Sequence, residues 1–119
     1  MGDDLEGVLD DTAGVHHGID LIREGIRHLA TTPHTADQTQ VVLAALTGEH
    51  GADLITAIGL LVRHLTSPDT NPSLRTLPTD RRETVTELGQ QYAYLAAEFT
   101  PRRHATEAIA HIDPNPDTH

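Results

Sequence analysis

The sequence predicts an all-α protein, a small bundle of four or five helices. Three observations carry that expectation. Apolar residues recur at three- and four-residue intervals over most of the chain, no stretch alternates apolar and polar residues as a half-buried strand would, and the prolines fall between the periodic segments. At 119 residues the chain is the size of one domain. The expected organisation is a single helical domain over 1–112 and a disordered, flexible tail, DPNPDTH, over 113–119.

The first periodic segment places Leu5, Val8, Val15, Ile19, Ile22, Ile26 and Leu29 on one stripe, broken only at Thr12. This predicts an amphipathic helix over about 5–31, ended by Thr31-Thr32-Pro33. Gly7, Gly14, Gly18 and Gly25 run along one flank of the stripe. Each costs roughly 1 kcal/mol in a helix relative to alanine, so lined-up glycines suggest a face where another helix approaches closely. The competing reading is that they break the helix, above all near Gly14.

Thr35-Ala36-Asp37-Gln38 fits a capping box that opens a helix through Val41–Leu46. TGEHG, 47–51, then predicts a break or kink before a helix from about Asp53 to Leu65. That helix carries Leu54, Ile55, Ile58, Leu60, Leu61, Val62 and Leu65, and leaves mainly Thr56, Gly59 and Arg63 as a polar strip. So apolar a helix belongs in the middle of a bundle or in a subunit interface. Three prolines in SPDTNPSLRTLP, 67–78, predict a long loop, with Leu74 and Leu77 pinning it to the bundle. Helix resumes near Thr79 on a stripe of Val85, Leu88, Tyr92, Leu95 and Phe99 facing inward. Thr100-Pro101 fits the start of a last helix with Ala105, Ala108, Ile109 and Ile112 inward.

Charge narrows the partners. Residues 1–60 hold ten acids against Arg23 and Arg27, and 61–119 hold eight acids against six arginines, for a net charge of −10. Nucleic acid and anionic membranes are both recognised with clustered positive charge, so this balance argues against either, with Arg81-Arg82 and Arg102-Arg103 as local exceptions. No apolar run reaches the about 20 residues that span a bilayer, and MGDDLEGVLDD is acidic where a secretory signal is basic and then apolar. A cytoplasmic location is expected. The absence of cysteine removes disulfides, thiolate metal sites and a thiol nucleophile.

Nine histidines are the unusual feature of the composition. His16 and His17 both neighbour Asp20, at i+4 and i+3. His104, Glu107 and His111 share one face of the last helix, a donor set suited to zinc or a comparable divalent ion. However, His104 and His111 stand two turns apart, about 10 Å, so only adjacent pairs can share an ion comfortably. His64 is expected to be partly buried, and His50 to cap the TGEHG break or line a pocket. Paired acids on two helices and a Glu-x-x-His di-iron pattern are missing, and the arginines fall mostly on outer faces and not inward, where a dicarboxylate would need them.

A convergent catalytic set is therefore absent from the sequence, and no cofactor is implied. The expected function is that of a non-enzymatic, acidic helical protein, regulatory or accessory, acting by protein–protein interaction. A homodimer is expected, through the glycine-flanked first helix (Gly14, Gly18, Ile22, Gly25) or the Leu54–Leu65 helix (Leu54, Ile58, Leu61). Tyr94, projecting opposite the stripe beside Glu83 and Glu87, is a candidate anchor for another protein. The alternative is a metal-binding protein that combines His16 or His17 and Asp20 with His104 or His111 and Glu107.

Overall fold

The computed structural model describes residues 2–49 and 51–112. Among these residues all regular structure is helical: α1 (Asp3–Asp11), α2 (His17–Thr31), α3 (Ala36–Leu43), α4 (Leu54–Leu65), α5 (Thr79–Ala97) and α6 (Arg102–His111). The all-α expectation holds, and the five predicted helices are all present, the first of them in two segments. The tail expected to be disordered, and the capping role expected of His50, lie outside the described residues. Among the described residues no helix is long and apolar enough to cross a membrane. The chain divides at His34/Thr35 into two compact units.

In the first unit the predicted helix over 5–31 is interrupted. Thr12 closes α1 with its hydroxyl on the Val8 carbonyl, and Gly14 adopts φ +74°, a left-handed conformation open to glycine. His16 restarts the chain as the N-cap of α2, its Nδ1 accepting the Gly18 N–H at 2.9 Å. Arginines then tie the two helices together. The Arg23 guanidinium donates to the Leu9 carbonyl and to Asp20, and Arg27 pairs with Glu6 at 2.9 Å. Leu9, which the predicted stripe left out, is buried, whereas Val8 and Val15 are exposed.

In the second unit the capping box at Thr35 forms as predicted: Thr35 Oγ1 accepts the Gln38 N–H, and the Gln38 side chain accepts the Thr35 N–H. α3 runs into a π-helical turn, Ala44–Gly48, that packs on α6 and α4. Gly51, at φ +80°, turns the chain before Asp53 caps α4. The 66–78 connection contains a short 3-10 turn, Pro72–Thr76. It also closes the end of α4, because Thr70 Oγ1 donates to the His64 carbonyl and Asn71 Nδ2 to the Leu65 carbonyl. Leu74 and Leu77 are half-buried.

α4 and α5 form the main packing contact of this unit. Gly59 lies against Ala93 and Ala96, and Gly89 against Thr66, so the two helices run antiparallel. A Cβ on Gly59 would stand 2.6 Å from Ala96 Cβ, and one on Gly89 would overlap the Thr66 side chain. The backbones come close here because each contact has a glycine on one side, facing alanines at Gly59 and Thr66 at Gly89.

Candidate functional site

The α4–α5 seam overturns two expectations about which side of each helix faces inward. On α4 the predicted polar strip is the packed side: Thr56 and Gly59 are buried, with only Arg63 exposed. On α5 the buried residues are Gly89 and Ala93, beside the predicted stripe, while Leu88, Tyr92 and Leu95 are exposed and Val85 and Phe99 half-buried. The physical reason is the closeness of approach. Helices that touch through glycine and alanine turn their large side chains to the flanks of the contact.

Those flanks converge. At about 100° per residue, Leu54, Ile58, Leu61 and Leu65 occupy one narrow arc of α4, turned from Gly59 in the same rotational sense as Leu88, Tyr92 and Leu95 are turned from Gly89. Because the helices are antiparallel, the same sense on both places the two arcs on one side of the pair. These seven side chains are 44–60% exposed. No charged residue falls between them, since Arg63 and Glu87 lie on other sides of their helices; Arg81, two turns before Leu88, continues the α5 arc at its N-terminal end.

The opposite side of the hairpin is polar. Leu60, Arg63 and His64 of α4 meet Thr86 and Gln90 of α5 and Ser67 and Thr70 of the connection around a groove of about 410 Å³. An adjoining groove of about 550 Å³ is lined by Arg82, Glu83, Thr86, Glu87 and Gln90 with Pro68 and Thr79. His64, expected to be partly buried, is exposed here. Its neighbours on α4, Leu60 and Arg63, are on the open side of the seam. Tyr94 is exposed, as predicted.

One end of the seam is clipped by a buried ion pair. Asp53 is 5% exposed and Arg102 7%. Arg102 Nε donates to Asp53 Oδ2 at 2.7 Å, and its other nitrogens reach Asp53 Oδ1 and the carbonyls of Ala96 and Ala97. Asp53 Oδ1 also accepts the Thr56 N–H and hydroxyl. Burial alone would raise the Asp53 carboxyl, but Arg102 and the two Thr56 donors outweigh it and lower the pKa from 3.8 to about 2. One carboxylate thus caps α4, and one guanidinium joins that cap to the last-turn carbonyls of α5. Arg102 is consequently unavailable as half of the basic pair noted in the sequence, and it forms the end of the packed seam.

His16 spends its Nδ1 on the α2 cap, His17 is exposed, and Asp20 accepts from the Gly14 N–H and Arg23. His104 and Glu107 are exposed, and His111 Nδ1 bonds the Glu107 carbonyl at 2.9 Å. Among the described residues no three His, Cys, Asp or Glu side chains are grouped to hold a metal ion. Gly14 lies in the turn between helices, Gly18 in the first turn of α2, and nothing lies within 4 Å of a Cβ built on Gly25, while Ile22 is exposed.

Compared with protein-family models, curated proteins and solved structures, the chain matches none.

Proposed function

We propose that the protein is a non-enzymatic interaction module whose working surface is the apolar side of the α4–α5 hairpin. The observation that supports this is the inversion of the hairpin, with small residues in the seam and seven large, uncharged side chains outside it. Side chains about half exposed leave on the order of 600 Å² of contiguous apolar surface, at the top of what a monomer shows without a partner. Regulation or scaffolding through that surface needs no bound cofactor and no reactive side chain.

The chain has no cysteine, so a single introduced thiol reports on one place. In the Leu61→Cys variant the thiol should react with a maleimide at the rate of a free thiol when the protein is dilute. A thiol that stays unreactive however dilute the chain would mean that the surface is closed from within, and the interaction reading would fall.

A further inference from the structure

We propose that the occupant of the apolar side of α4–α5 is a second copy of the same hairpin, packed face to face about a two-fold axis into a four-helix bundle. The proposal rests on the interaction reading above and names its partner. Area is the first argument. A standard interface removes about 800 Å² per partner, and roughly 600 Å² of apolar surface with its polar rim meets that requirement.

Charge is the second. Residues 54–99 hold five acids (Asp69, Asp80, Glu83, Glu87, Glu98) against four arginines (Arg63, Arg75, Arg81, Arg82), a net −1 in a chain of −10. The strongly acidic character lies outside the hairpin, so two copies meet there without bringing their charge together. A partner that recognised this side by charge would find none among Leu54, Ile58, Leu61, Leu65, Leu88, Tyr92 and Leu95, and Arg81, two turns before Leu88, stands at the rim of the face.

Geometry is the third. α4 and α5 are already antiparallel, and a two-fold operation in the plane of the face sets every helix antiparallel to its neighbours, opposing their dipoles. The leucine, isoleucine and tyrosine side chains that the seam excludes become the core of the bundle. Within the second unit the only buried apolar residue is Ala93 among the described residues, so the large side chains find their burial in the pair.

The test is light scattering on the full chain over a range of concentrations, with Leu61→Cys labelling in parallel. The expected mass is twice 12.9 kDa, with the Leu61→Cys thiol protected as concentration rises. Leu88→Arg should return the mass to that of one chain with its helical circular dichroism intact, while Tyr94→Arg, on the polar side, should leave the pair unchanged. If Leu88→Arg loses its helical signal, the concentration-dependent protection of the Leu61→Cys thiol decides. A dimer that survives a folded Leu88→Arg meets elsewhere and overturns the proposal. A monomer at every concentration with a reactive thiol overturns the second copy and leaves the interaction reading standing; a monomer with an unreactive thiol overturns both.

Discussion

The side of α4 that meets α5 is made of Thr56 and Gly59, whereas the side turned away from it carries Leu54, Ile58, Leu61 and Leu65. The first holds two backbones close together and is clipped at its end by Asp53 and Arg102. The second makes little use of its bulk within the hairpin. Folding of the hairpin and the association proposed for it would thereby rest on different residues, and substitutions can separate them.

The largest effect belongs to the clip. Arg102→Met strands a buried carboxylate and should destabilise the chain by about 3–5 kcal/mol in urea unfolding. A loss as small as that expected of the half-exposed Arg27–Glu6 pair, about 0–1 kcal/mol, would show that the clip is no part of the seam. Acid should release the same interaction more gently. The Asp53 pKa is depressed from 3.8 to about 2, so its contribution is complete above pH 4 and is lost as the pH falls through about 2. That loss amounts to about 2.5 kcal/mol, and the slope between pH 4 and 2 should shrink in Asp53→Asn.

Glycine substitutions sharpen the contrast further. Gly89→Ala drives a Cβ into Thr66 and should cost about 1–3 kcal/mol, whereas Gly25→Ala in α2 meets open space and should stabilise by up to about 1 kcal/mol. Both are read from thermal melts. On the outer side, Leu88→Gln should change the stability of the dilute chain by no more than about 0.5 kcal/mol while weakening association. A large loss in dilute solution would make Leu88 a core residue and erase the distinction between the two sides.

Local signals were legible in the sequence. The Thr35-x-x-Gln38 box, the restart of helix at Asp53 and the proline-rich connection each depend on residues within a few positions of one another, and each is where the spacing put it. Gly14 was legible as a break only in the competing reading, because the stripe from Leu5 to Leu29 keeps its period across the interruption. The orientation of α4 was not legible. A helix that is apolar almost all round has no periodic contrast to show which side its neighbour takes, and glycine does not register in a hydrophobic stripe although it sets the closest approach. The pairing of Asp53 with Arg102 joins residues far apart in sequence, and no spacing rule connects them. The candidate metal pairs, by contrast, were legible as spacing alone, and the structure gives His16 and His111 local backbone partners.

Asp53 can cap α4 as soon as Thr56 follows it, but the guanidinium that completes the site lies 49 residues later. At about 5–20 residues per second of synthesis, the two are separated by several seconds on a growing chain. During that interval the carboxylate keeps its water, since a buried charge without its counter-ion is not tolerated. α4 and α5 can therefore pair early through their glycines, and the arrival of α6 marks when the pairing becomes fully cooperative. The clip acts as a timer: it makes α6 the step that commits the earlier helices to their final contact.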